Sequence, residues 1–332
     1  MNATTASPCA WPVNSTGDDA AAILASREDL VQVLGAGLAE DLHDATEFAT
    51  SLASAFGELA DPEYRASQAF VAPGIGPTHG VRTPLQVGVR RAFEKSSKNA
   101  STSELLLICD RLLREPEREA RWFAISTLQR TITAEPERTW QLLRRAARDA
   151  DDWITVDNLA HPFGKGILAE EYRWAELGQL TVSPSRWERR LVGSTIATMP
   201  FVDRSSGRTE EVTSHALPLL ATLIGDREPD VQKALSWAYR SMTIVDAEAT
   251  TRALESEADR AARTDDGHRA WVVRDALPKL APERAAAIRD RLAGLRRKPG
   301  APATSQASEL AIRFAAMGLG RRMPEPPLVA AR

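Results

Sequence analysis

Apolar residues recur at three- and four-residue spacing through most of the chain, and alternating Val/Ile-rich runs are missing, so the pattern predicts helices almost throughout. Ala, Leu, Glu and Arg, all good helix formers, fill the positions between. Five comparable segments begin near Glu117 (EREARWFAISTLQR), Asp151 (DDWITVDNLA), Ser185 (SRWERRLVGSTIATM), Pro229 (PDVQKALSWAYRSM) and Asp266 (DGHRAWVVRDALPKL). Their starts are 34, 34, 44 and 37 residues apart. Each follows another helical stretch, such as PERTWQLLRRAARD at 136–149 or HALPLLATLIGD at 215–226.

A helical pair repeating at this interval predicts an all-α, HEAT-like helical-repeat solenoid, an α-α superhelix in which each pair buries its apolar face against its neighbours. An irregular helical bundle is the alternative. Pro62, Pro73, Pro77 and Pro84 are expected to break 61–84 into turns, which separates a helical cap at 21–60 from repeats over about 61–295. Residues 1–20 lack periodicity and are expected to be disordered. Residues 296–332 read as a linker (KPGAPATSQ at 298–306), a short helix and a flexible tail.

Helical wheels locate the polar chemistry. With Lys233 at zero, Ser236, Trp237 and Arg240 fall at about 300°, 40° and 340°, opposite Val231, Leu235, Ala238 and Met242. A tryptophan between two cations on the face predicted to be wet is poorly explained by packing. In SRWERRLVG, Arg189, Gly193, Arg186 and Arg190 fall at about 300°, 340°, 0° and 40°, so three guanidiniums share one face and Gly193 admits a close backbone. A solvated charged face is the plain reading of either helix. Lys165, expected in a loop HPFGKG, extends a possible basic track suited to a phosphate backbone. Trp153 and Asp157 stand about 40° apart, one turn above each other, so a tryptophan packing inward draws a carboxylate with it. An unpaired buried carboxylate is costly, so the placement asks for a function.

The 332 residues are 43% hydrophobic and 26% charged, an ordinary globular composition. The formal net charge of −3 argues mildly against a nucleic-acid partner, although the distribution of the 42 Lys and Arg matters more. Of the two cysteines, Cys109 sits in the apolar run ELLLIC and reads as a buried reduced thiol rather than a disulfide partner of Cys9. With no export signal and no run of 18 apolar residues, the chain is expected in the cytoplasm, off the membrane, and the Asn14-Ser15-Thr16 sequon carries no meaning there. His43, His79, His161, His215 and His268 lack metal spacing, so no metal and no cofactor is expected. GKG at 164–166 lacks the rest of a phosphate-binding loop. Neither Ser194 nor Ser236 has a visible base, which leaves nucleophilic hydrolysis unsupported.

Three separated motifs give the chain a resemblance: W-x-x-x-D in WITVD at 153–157, W-x-x-R in WERR at 187–190, and the helix VQKALSWAYR at 231–240. With weaker matches at GVRTP (80–84) and EREARWFAISTLQR, they resemble the AlkD-type DNA alkylation-repair glycosylases over about residues 65–290. The resemblance implies a concave DNA-binding face, Asp157 as catalytic carboxylate, and Trp153 and Trp237 flanking the lesion nucleotide with Arg190 completing the site. It also implies phosphate contacts from the helix carrying Lys233 and Arg240, beside Lys165, Arg186 and Arg189 of the basic track. The first 60 residues and the tail from about 295 have no counterpart in it.

The expected function is therefore excision of cationic N3- or N7-alkylated purines, including bulky adducts, by a monomer acting on double-stranded DNA. An alkylated purine is already cationic and leaves without a general acid, so the hard event is charge growing on the sugar, which a fixed carboxylate stabilises. A catalytically silent DNA-structure binder needs the basic face but not Asp157. A HEAT-type protein-interaction module needs neither.

Overall fold

The computed structural model describes residues 17–318, so Cys9, the sequon, most of the stretch expected to be disordered and the tail beyond 318 lie outside the described residues. Seventeen α-helices and no strand occur among those described, an all-α helical-repeat fold. They are α1 (Gly17–Ala25), α2 (Glu28–Gly37), α3 (Ala45–Glu58), α4 (Pro62–Val71), α5 (Thr83–Ser96), α6 (Thr102–Leu112), α7 (Arg118–Thr127), α8 (Pro136–Asp149) and α9 (Trp153–Ala169). There follow α10 (Arg173–Leu180), α11 (Arg186–Val202), α12 (Glu210–Leu223), α13 (Pro229–Val245), α14 (Ala247–Thr264), α15 (Gly267–Ala276), α16 (Pro282–Arg291) and α17 (Gln306–Ala316). The five expected repeat starts fall within two residues of α7, α9, α11, α13 and α15. No helix among the described residues is long and apolar enough to cross a membrane.

The ends are set locally. Asp44, Asp61, Asp152, Asp246 and Asp266 each accept backbone N–H bonds as N-caps, and Ser101 and Glu104 form a reciprocal capping box. Pro62, Pro136, Pro229 and Pro282 occupy first turns, where their missing N–H costs nothing. This corrects the expectation that prolines reduce 61–84 to turns. Pro62 and Pro84 start α4 and α5 instead, and only 72–82 is irregular.

The chain contacts define two compact units, one running to Arg173 and including Ser194–Arg208, the other comprising Trp174–Gly193 and the chain from Thr209. In the first, Phe123 of α7 gathers Phe48, Phe56 and Phe93, with ring centroids 5.5–6.4 Å from its own. Cys109 is buried there with its thiol free of any disulfide, donating to the Ala124 carbonyl, and burial pushes its pKa well up. In the second, α13 packs on α12, α14 and α15 through Val231, Leu235, Ala238 and Met242, none of them exposed. The stretch expected as a linker is tied down within this second unit. Thr304 N–H donates to the Gly225 carbonyl at 2.9 Å, Thr304 Oγ1 donates to Asp266, and Ala303 and Ser305 are buried.

Candidate active site and nucleic-acid interface

The start of α9 is held by a chain of buried hydrogen bonds and ion pairs. Asp152, 3% exposed, caps the helix by accepting Thr155 N–H at 2.8 Å and the Thr155 hydroxyl at 2.7 Å. Thr155 Oγ1 in turn accepts the indole N–H of Trp122 on α7 at 2.9 Å. Arg118, also on α7, pairs with Asp151 at 2.7 Å and Asp152 at 3.5 Å and donates to the Ile75 carbonyl. Burial raises the Asp152 pKa, opposed by the Thr155 hydrogen bonds and the Arg118 charge. Glu119, the next residue of α7, accepts the backbone N–H groups of His79, Gly80 and Val81. The weaker sequence matches GVRTP and EREAR are thus one latch: the α7 carboxylate clamps the turn that leads into α5.

From this fixed start α9 runs with all of its residues through Leu168 buried except one stripe. The half-exposed residues are Trp153, Asp157, Asn158, His161, Lys165 and Leu168, which span about 140° of the wheel. Asp157 lies within this stripe, one turn above Trp153. Its Oδ1 accepts the hydroxyl of Ser194 at 2.7 Å, and that hydroxyl lies on the second half of α11, in the same unit. Ser194 is fully buried, so it can hold the carboxylate in one orientation without competing with it for solvent. Sequence reasoning missed this partner, because 37 residues separate the two. The signal was present only as a spacing: Ser194 stands four residues beyond Arg190 on α11.

Lys165 continues the stripe, with its ammonium donating to the Gln129 carbonyl at 2.8 Å. It is not in a loop. HPFGKG is helical because its glycines are where α9 meets other elements: a Cβ on Gly166 would lie 2.9 Å from the Trp140 ring and one on Gly164 3.1 Å from Val202. Packing across those contacts outweighs the breaker composition. His161, one turn beyond Asp157, keeps its buried Nδ1 without a hydrogen-bond partner, and burial, then the nearby Lys165 charge, lowers its pKa.

In the second unit the wheel of α13 is reproduced. Lys233, Trp237 and Arg240 are half-exposed, while Val231, Leu235, Ala238 and Met242 are buried opposite them. Arg240 is anchored by Asp275, at 2.6 Å to the carboxylate and 2.7 Å to the carbonyl. Ser236, expected near the open side, is fully buried and donates to the same Asp275 carboxylate at 2.6 Å.

The three guanidiniums of α11 do not share an open face. Arg186 is exposed, stacked over Trp187 at 4.6 Å, with loose contacts of 3.8 Å to Glu228 and 3.9 Å to Asp230. Arg190 is buried and donates to the Asp230 carbonyl at 2.7 Å. Arg189 is buried and committed internally, paired with the fully buried Asp226 at 2.7 Å and donating to the carbonyls of Ser183 and Pro184. Its expected phosphate contact is corrected accordingly. A wheel registers only the helix that carries the residue, and Asp226 comes from the turn before α13. Gly193 does admit a close backbone, that of α13: a Cβ there would lie 2.8–3.0 Å from Ala234.

Among the described residues, no three His, Cys, Asp or Glu side chains cluster as a metal-ligand set. What the two units offer is a fixed carboxylate beside an indole in the first, and an indole between two cations in the second. The family model described as "DNA alkylation repair enzyme" matches residues 52–280. The chain belongs to this family. Its role is accordingly DNA alkylation repair, with DNA as the molecule bound. The match ends before α16 and α17, and it begins within α3, so most of the helical cap lies outside what defines DNA alkylation repair enzymes. No curated protein matches the chain. Among solved structures it is similar to a predicted DNA alkylation repair enzyme from Enterococcus faecalis, at 14% identity, covering 71% of this chain and 97% of that one with a TM-score of 0.49.

Proposed function

We propose that this DNA alkylation repair enzyme is a glycosylase that hydrolyses the N-glycosidic bond of purines made cationic by N3 or N7 alkylation. The observation that carries the reading is Asp157, a half-exposed carboxylate on the open stripe of α9, oriented by the buried Ser194 hydroxyl at 2.7 Å.

A cationic purine leaves as a neutral base, so the reaction needs no acid, and what must be stabilised is the oxocarbenium developing on the deoxyribose. Asp157 supplies the opposing charge and accepts a proton from the attacking water. At about 4 Å the attraction amounts to about 1 kcal/mol at the dielectric of water and about 4 at an effective value of 20, up to about three powers of ten in rate. Trp153 and Trp237 offer indole faces to the cationic lesion nucleotide, each favouring it by about 0.5–2 kcal/mol. Arg190 completes the lesion contacts. Lys165, Arg186, Lys233 and Arg240 are assigned to phosphates; Arg189 is assigned to structure. The catalytic body is placed at residues 21–295, a helical cap followed by HEAT-like repeats, acting as a cytoplasmic monomer.

The test is release of base from duplex DNA treated with a methylating agent. Liberation of 3-methyladenine and 7-methylguanine, without release of uracil from a uracil-containing duplex, is the expected result. Binding to the same DNA with no base released would leave a DNA binder in place of an enzyme.

A further inference from the structure

The family match ends at residue 280, and the described chain beyond it stays in the second unit. From the end of α16 it runs back along α15. Arg274 of α15 donates through Nη2 to the Leu292 carbonyl at 3.2 Å and to the Leu295 carbonyl, and a Cβ on Gly267, at the start of the same helix, would collide with the Arg296 carbonyl. The segment is then pinned at the junction of α14 and α15. Lys298 pairs there with Asp265 at 2.9 Å, and the Ala301 carbonyl lies 3.2 Å from His268 Nε2.

This path gathers cations around one tryptophan. Trp271 is half-exposed on the open stripe of α15, with Gly267, Arg274 and Asp275. The Arg297 guanidinium lies over its ring, 4.7 Å from the centroid. Arg297 Nη1 also donates to Gln232 Oε1 at 2.7 Å. Gln232 is fully buried on α13 and fixed in turn, its Nε2 donating to the Asp226 carbonyl at 2.5 Å and meeting His268 Nδ1 at 3.1 Å. An aromatic face and a fixed amide oxygen thus hold an exposed guanidinium in place, with most of its five N–H donors unused. The α15 stripe continues the one on α13 that carries Lys233 and Trp237, since Ser236 and Arg240 reach across to Asp275.

Packing accounts for the stems of these side chains but not for their charges. Among the described residues, Lys233, Arg274, Arg296 and Arg297 form no ion pair. The carboxylates around them are taken: Asp275 by Arg240 and Ser236, Asp265 by Lys298, and Asp266 by Arg269. Arg274 is half-exposed, and burial, then the Arg296 charge, lowers its pKa. Like charges gathered without a counter-charge repel one another and favour a bound anion. Granting that the molecule bound is DNA, that anion is a phosphodiester backbone, with one charge about every 1.7 Å of duplex. We infer that Arg296 and Arg297, set against Trp271 and backed by Arg274, form a phosphate-binding site that carries the DNA contacts proposed for α13 on past α15. The site is built by a segment outside the family match, and it rests on DNA binding rather than on the glycosylase chemistry. The Trp271 ring serves it by fixing the guanidinium beforehand, so that less side-chain freedom is lost on binding.

The full-length chain and its variants Arg296→Ala, Arg297→Met, Arg297→Lys and Lys233→Ala test this by thermal melting and by affinity for a duplex with an abasic analogue at several salt concentrations. Arg296→Ala and Arg297→Met are each expected to lower the slope of log K against log salt by about 0.9, so that affinity falls about three- to fourfold less between about 50 and 200 mM salt. Arg297→Lys keeps the charge and is expected to keep the slope. Arg296→Ala, which loses no ion pair and relieves Arg274 of a like charge, is expected to melt at the wild-type temperature or above it. Were the arginines only anchors of the segment, both Arg297 variants would melt lower and every arginine variant would keep the wild-type slope, which would overturn the proposal. A slope lowered by Lys233→Ala but not by Arg296→Ala or Arg297→Met would end the phosphate track at α13 and sink this inference alone. Because binding is read on an uncleavable duplex, a failure of the glycosylase reading shows separately, as absence of base release.

Discussion

The hydroxyl of Ser194 donates to Asp157 Oδ1 at 2.7 Å, joining α11 to the open stripe of α9. The bond consumes one lone pair of the carboxylate and holds its plane. A serine without a base is inert as a nucleophile, and here it is the donor. In the proposed reaction its place is to position Asp157, following the rule that a reacting group is kept in place by neighbours whose own rotamers are locked by packing.

Ser194→Ala should accordingly reduce single-turnover excision of 7-methylguanine by about one to two powers of ten, the range for a hydrogen bond to a charged group of about 1.5–3 kcal/mol. Affinity for an abasic-analogue duplex should hold. Excision at the wild-type rate would show that the carboxylate needs no such support.

The relay that starts α9 makes a second expectation. Thr155→Val keeps the shape of a residue that is 3% exposed but strips the hydroxyl between Trp122 and Asp152. An indole N–H and a buried carboxylate oxygen both lose a partner, at about 1–3 kcal/mol for each group left unsatisfied. The variant should melt several degrees lower, and excision should fall with it, because Trp153 and Asp157 take their positions from this cap. A melting temperature within 1 °C of wild type, with full activity, would contradict the relay's role.

Much of this was legible in the chain itself, and what was not has a common cause. The starts of α7, α9, α11, α13 and α15 could be read because caps and 3.6-residue periodicity are local, and so could the adjacency of Trp153 and Asp157. The half-open stripe of α13 was legible for the same reason. Ser194 as the partner of Asp157, Asp226 as the partner of Arg189, and the Trp140 ring that keeps Gly166 in a helix all come from elements distant in sequence. Propensity and wheels carry no information on those meetings. Prolines misled at 61–84 because a residue that breaks a helix interior also serves to start one.

Arg189 and its neighbours test the division between structural cations and those proposed to face DNA. Arg186→Ala and Lys233→Ala should leave thermal stability nearly unchanged and each lower the slope of log K against log salt by about 0.9. Arg189→Ala should instead cost about 3–5 kcal/mol of stability, because Asp226 is left buried and uncompensated. Melting curves and salt titrations on the three variants decide the matter. Arg189→Ala folding at the wild-type temperature with a reduced salt slope would return that residue to the phosphate track.

His161 predicts a pH dependence. Its folded pKa is lowered by burial and by Lys165 from an ordinary value of 6.5. Below 6.5 the unfolded chain takes up a proton that the folded chain resists, so stability is fully present above that pH and is lost as pH falls towards the lowered folded value. Melting temperatures measured at pH 7.5, 6.5 and 5.5 should decline on acidification, and His161→Gln, which cannot titrate, should decline less over the same interval. Parallel curves for the two proteins would remove His161 as the source.

Asp157→Asn separates chemistry from scaffold. The amide has almost the shape of the carboxylate and its Oδ1 can still accept the Ser194 hydroxyl, so α9, its cap and the open stripe should persist and the melting temperature should change little. What disappears is the negative charge. If that charge stabilises an oxocarbenium, excision of 7-methylguanine should fall by about two to three powers of ten, corresponding to about 3–4 kcal/mol. Affinity for an abasic-analogue duplex should hold or rise slightly, since a carboxylate facing DNA repels phosphates. The comparison with Ser194→Ala sharpens the reading: if Ser194 acts only through Asp157, adding Ser194→Ala to Asp157→Asn should cost much less than it does alone. Additive losses would place the two residues in separate roles. Full excision by a well-folded Asp157→Asn protein would remove the carboxylate from the mechanism, and the DNA contacts proposed for α11 and α13 would then have to account for the repair role without it.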